Sequence, residues 1–123
     1  MNKEEIIDLV ESLDIDYNEF WILSTGALVL RGLWDKANDL DIAVTEKGLK
    51  ELQSKYNLIQ KENGFYIVND MVDCVQDTKD DYKVEKVGKY YLQSLEYYYE
   101  YLDSTKRDKD KEKYKIVKKI LNR

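Results

Sequence analysis

Residues 39–44 read Asp-Leu-Asp-Ile-Ala-Val, a polar–apolar alternation with the two-residue period of a strand. Successive strand side chains point to opposite faces, so Asp39 and Asp41 project together while Leu40 and Ile42 turn the other way. The stretch predicts a half-buried strand with two carboxylates on its polar face. Upstream, Phe20-Trp21-Ile22-Leu23 is a short apolar run suited to a buried strand, and Ser24-Thr25-Gly26 breaks it. Ala27 to Arg31 reads as a short helix closed by Gly32. Downstream, Thr45 is placed to cap a helix running to Tyr56.

The rest of the chain extends this alternation of helix and strand. Ile6, Ile7, Leu9, Val10 and Leu13 predict an amphipathic first helix over residues 3–13. Residues 58–60, 65–68 and 71–75 read as strands, with turn signals at Asn63-Gly64 and Asn69-Asp70. Residues 77–83 are polar and read as a loop, and residues 84–92 as one more short strand or irregular structure. From Ser94 the spacing of Leu95, Tyr98, Tyr99 and Leu102 predicts a helix. Tyr114, Val117, Ile120 and Leu121 predict a second one, beyond the polar run from Ser104 to Lys113. The expectation is one domain over residues 1–123 of α/β (α+β) class, a small mixed sheet flanked by helices with a C-terminal helical pair.

Composition narrows the chemistry. The 123 residues carry a net charge of −5, which argues against extensive nucleic-acid binding because phosphate neutralisation needs clustered Lys and Arg. One nucleotide remains a possible ligand, since a divalent ion supplies positive charge locally. Cys74 is the only cysteine, so no internal disulfide forms. The N-terminus lacks a signal-peptide h-region and no apolar run reaches membrane-spanning length. A cytoplasmic location is expected. With no histidine, Ser-His-Asp triads and the usual zinc sites are excluded.

The carboxylates are what remains. Asp39 and Asp41 side by side repel each other unless a cation joins them or one keeps a proton. Mg2+ favours carboxylate oxygens and keeps part of its water shell, leaving room for substrate phosphates. Asp73, in the apolar run Met71-Val72-Asp73-Cys74-Val75, would complete the cluster if its strand neighbours the first. Ser24-Thr25-Gly26-Ala27, between strand and helix, offers backbone N–H groups and hydroxyls to an anion. Each feature also has a plainer reading: solvated strand-end acids and a tight turn.

Together the three resemble the nucleotidyltransferase superfamily of the DNA polymerase β type, in particular small bacterial stand-alone members, some of them toxin–antitoxin partners. That signature is a hydrophobic residue, Gly, Gly or Ser, a gap of about ten residues, Asp-h-Asp-h with h apolar, and a third acid on a later strand. It is matched by Ile22 to Leu33, Asn38-Asp39-Leu40-Asp41-Ile42 and Val72-Asp73-Cys74. A C-terminal signature, Ser-Leu-Glu followed by Arg-x-Lys-Asp, is matched by Ser94-Leu95-Glu96 and Arg107-Asp108-Lys109-Asp110. Ala27 replaces the second Gly or Ser, and Lys36 stands where relatives carry Arg.

The resemblance implies a nucleotidyltransferase fold. It implies transfer of a nucleoside monophosphate from NTP to a hydroxyl of a small molecule or protein, with two Mg2+ ions. Asp39, Asp41 and Asp73 would be the metal-binding and catalytic acids. Ser24, Thr25, Gly26, Ala27, Lys36 and Lys109 would contact the nucleotide. Lys109 and Arg31 also fit as solvated surface cations. A catalytically inactive module that binds a nucleotide or a partner protein, antitoxin-like, is the alternative. Of the 11 tyrosines, six (Tyr90, Tyr91, Tyr97, Tyr98, Tyr99 and Tyr101) crowd residues 90–101, where they serve packing, base stacking or a protein interface.

Overall fold

The computed structural model describes residues 1–123. A capping box opens helix α1 (Lys3–Leu13): the Glu5 N–H donates to Asn2 Oδ1, and the Asn2 N–H donates to Glu5 Oε1. Ile6, Val10 and Leu13 form its buried stripe. A single 3-10 turn over Tyr17–Glu19 leads into strand β1 (Phe20–Ile22), all three residues of which are buried. Helix α2 (Ser24–Leu30) follows at once, then β2 (Leu40–Val44) and α3 (Glu46–Lys55). The Gly48 N–H donates to Thr45 Oγ1, the expected cap.

Next come β3 (Ile59–Gln60), β4 (Tyr66–Ile67) and β5 (Val72–Gln76). Asn63-Gly64 makes the first turn, with Gly64 at φ 91°. Asn69 makes the second, its Oδ1 accepting from the Met71 and Val72 N–H groups. Ser94 caps α5 (Leu95–Thr105), and α6 (Lys111–Ile120) closes the chain.

Two stretches depart from expectation. Residues 77–83, read as a loop, contain a short helix α4 (Lys79–Tyr82). Residues 84–92 form a hairpin of two strands, β6 (Glu85–Val87) and β7 (Tyr90–Leu92), turned at Gly88 with φ 62°. The fold is a seven-stranded mixed sheet in the order β3-β4-β5-β2-β1-β7-β6, with six helices. β2 pairs antiparallel with β1 and parallel with β5, while β1 pairs parallel with β7 at Ile22↔Leu92.

Each sheet face has its own cover. Leu40, Ile42, Val44, Val72, Cys74 and Leu92 join α1, α2 and α3 in the main core. On the other face Trp21, Leu23 and Ala43 lie beneath Tyr82 and Tyr91. Leu28 of α2 packs with Tyr98, Leu102 and Val117, which docks the α5–α6 pair onto α2. That docking brings the C-terminal helices beside the sheet face that carries the aspartates. No helix is long and apolar enough to cross a membrane.

Candidate active site

The parallel pairing of β2 with β5 sets Asp41 opposite Asp73 in register, so both carboxylates stand on one sheet face. Asp39 immediately precedes β2, two residues before Asp41. The Leu40 N–H donates to Met71 O at 2.8 Å and fastens the two strand starts together. On the other flank the Leu23 N–H donates to Asp41 O at 3.0 Å, which brings the end of β1 to the same point. Ser24 then turns the chain into α2 at φ 52°, a left-handed conformation that costs a non-glycine residue about 1–3 kcal/mol. Its N–H donates to Gln93 Oε1 at 2.8 Å, and Gln93 is itself buried, so a contact from the far end of the chain holds the turn.

Two cavities meet over these residues and share Ser24, Asp39, Asp41 and Tyr101. The first, about 430 Å3, adds Asp73, Lys61 and Asn63 with aromatic walls from Phe65, Tyr82 and Tyr97. The second, about 600 Å3, adds Thr25, Trp34, Lys36, Arg107, Lys109 and Lys113. One side of the carboxylate row is therefore largely aromatic and the other is cationic.

Burial is the main reason the Asp41 carboxyl is pushed up to about 6, and the charges of Asp39 and Asp73 add to it. Lys61 works against that rise. Its ammonium lies 2.6 Å from Asp73 Oδ2, and that hydrogen bond raises its own pKa. No three or more carboxylate or thiol groups gather closely enough to hold a metal ion between them. Burial opposes the charge of Asp41, however, and no ammonium makes an ion pair with Asp39 or Asp41. A hard divalent ion, completed by water and phosphate oxygens, fits that pair better than it fits a three-carboxylate cage.

Ser24, Thr25, Lys36 and Lys109 line the cavities with the three aspartates. Gly26 and Ala27 are buried and line neither. A Cβ at Gly26 would lie 3.1 Å from Leu40 Cδ1 and 3.2 Å from Ile22 Cγ2, so this glycine lets α2 sit close on the sheet. Arg31 binds Glu85 at 3.0 Å, and Glu85 also accepts from the Leu95 N–H; this arginine staples β6 and α5 to α2 away from the site.

Several cavity residues were given no site role by the sequence, Arg107 among them although it lies in the C-terminal signature. Lys113 Nζ donates to Thr25 Oγ1 at 2.9 Å, and Arg107 grips the buried Asp110 at 2.6 Å. No local signal marked Lys113: it lies in the first turn of α6, at the end of a polar run without periodicity, while Lys109 sits in the 3-10 turn before that helix. Lys61 and Gln93 reach the site only through strand pairing, which no local pattern announces. Among the tyrosines, Tyr82, Tyr97 and Tyr101 face the first cavity, while Tyr99 and Tyr114 stack at 5.4 Å between α5 and α6. No family model, curated protein or solved structure matches the chain.

Proposed function

We propose that this chain is a Mg2+-dependent nucleotidyltransferase that moves a nucleoside monophosphate from NTP to a hydroxyl of a small molecule or a protein. The observation that carries the reading is the position of Asp39 and Asp41 where a cationic cavity and an aromatic cavity meet, with Asp73 in register beside Asp41. A transfer between two substrates needs that arrangement, a donor and an acceptor on opposite sides of the reacting phosphorus.

In this reading Lys36, Arg107, Lys109 and Lys113 bind the triphosphate, and Trp34 offers a face for the base. Ser24 and Thr25 hold phosphate oxygens at the turn. The acceptor enters between Phe65, Tyr82 and Tyr97. Its oxygen forms a bond to the α-phosphorus, the bond from that phosphorus to pyrophosphate breaks, and the hydroxyl proton passes to Asp73. Mg2+ held by Asp39 and Asp41 would neutralise charge on the phosphates.

The test is calorimetric titration of ATP, GTP, CTP and UTP with and without Mg2+, on wild type and on Asp39→Asn/Asp41→Asn. Metal-dependent binding lost in the variant supports the reading; no binding to any triphosphate by folded protein overturns it. One observation favours a second reading, a nucleotide-binding module without turnover: the Lys61 ammonium already engages Asp73, the proposed base. Binding without pyrophosphate release on a broad acceptor screen would select that reading.

A further inference from the structure

The Lys61–Asp73 pair is built into the sheet. β3 and β4 pair at Ile59↔Ile67 and Gln60↔Tyr66, and β4 pairs with β5 at Ile67↔Asp73. Ile59, Ile67, Asp73 and Asp41 thus form one row across four strands. Lys61, two residues beyond Ile59, leaves the hairpin on that same face. Its position is fixed by its N–H donating to Phe65 O at 2.7 Å, and by the Gly64 turn. From there its Nζ reaches Asp73 Oδ2 at 2.6 Å, a charge-assisted contact that already sets one cation on that oxygen. Asp73 is half-buried at 26% exposure and Lys61 is exposed at 39%, so the ammonium approaches the carboxylate from the open side of the first cavity.

The charges around the row point the same way. Three carboxylates bear three negative charges. One ammonium and one divalent ion match them, whereas two divalent ions beside Lys61 would overshoot. The cavity on the far side brings its own cations for the nucleotide phosphates.

We propose that Lys61 is a fixed cation standing in for one of two metal ions at the Asp73 corner, so that the site takes a single divalent ion, at Asp39 and Asp41. This rests on the nucleotidyltransferase reading and specifies its metal requirement. Lys61 is then a positioning residue: it holds Asp73 through charge while the second corner of the site goes without metal.

The experiment counts protein-bound Mn2+ by electron paramagnetic resonance, with a non-hydrolysable ATP analogue present, on wild type, Lys61→Met and Lys61→Arg. Thermal unfolding without ligand checks that each variant is folded. The expected result is one ion per chain in wild type and Lys61→Arg, and two in Lys61→Met, where Asp73 is freed. Two ions in wild type, or one in Lys61→Met, overturn the role of Lys61 and leave the nucleotidyltransferase reading standing. No bound ion in any folded variant overturns both.

Discussion

Asp41 ties the site's electrostatics to stability. In the unfolded chain its carboxyl titrates near 3.8, and in the folded protein near 6. Between those values the native state binds more protons than the unfolded state, so the contribution of Asp41 to stability falls as pH rises through the window and levels off above it. After discounting for solvent screening, the loss is about 1–2 kcal/mol. Asp41→Asn should therefore be more stable than wild type by about that amount at pH 7 in the absence of metal, and equal to it near pH 4, by urea denaturation at both pH values. Mg2+-nucleotide affinity should move the opposite way in wild type, strengthening as pH rises from 5 to 7, because the metal requires the ionised carboxylate. The three aspartates were legible because strand period alone puts Asp39 and Asp41 on one face, and an acid among Met71, Val72, Cys74 and Val75 stands out. Lys61 was not, because Lys61-Glu62-Asn63-Gly64 is an ordinary polar turn until β4 carries it against β5.

Helix α3 shows how an element is held to the sheet that bears the site. Thr45 opens it, and Gly48 in its first turn lies so near the preceding 3-10 turn that an added Cβ would fall 2.5 Å from the Glu19 carbonyl oxygen. Backbone cannot give way as a side chain can. Gly48→Ala should cost about 2–3 kcal/mol by chemical denaturation, despite the better helix propensity of alanine. Thr45→Ala should cost about 1 kcal/mol, the usual loss of a cap. Elements with such local devices were readable in advance: α1 from its acids and apolar stripe, α3 from its cap, the β3–β4 turn from Asn63-Gly64. Elements that depend on distant partners were not. α4 is a four-residue helix whose Tyr82 ring lies 5.6 Å from Trp21 and 5.0 Å from Tyr97, so tertiary contacts define it. β6 is exposed throughout and offers no alternation to read.

Across the whole molecule, the second cavity exists only because α5 and α6 dock on α2 through Leu28, Tyr98, Leu102 and Val117. Leu102 lines neither cavity, yet Leu102→Ala should lower stability by about 2–4 kcal/mol and also weaken nucleotide binding, since the helices carrying Arg107, Lys109 and Lys113 lose their seat. Lys113→Ala separates the two effects. It should reduce nucleotide affinity about tenfold, roughly 1.4 kcal/mol, with a stability change under about 1 kcal/mol; calorimetry and thermal unfolding on the same samples measure both.

The bond from Ser24 to Gln93 also sets a schedule. Its two ends are 69 residues apart, and β1 likewise waits for β7. At ordinary translation speeds the interval between synthesis of the two ends is on the order of ten seconds. By the last part of that interval the emerging chain holds Asp39, Asp41 and Asp73 but has no anchor for the left-handed Ser24. A nascent chain halted before Gln93 would carry all three aspartates and still lack the anchored turn at Ser24.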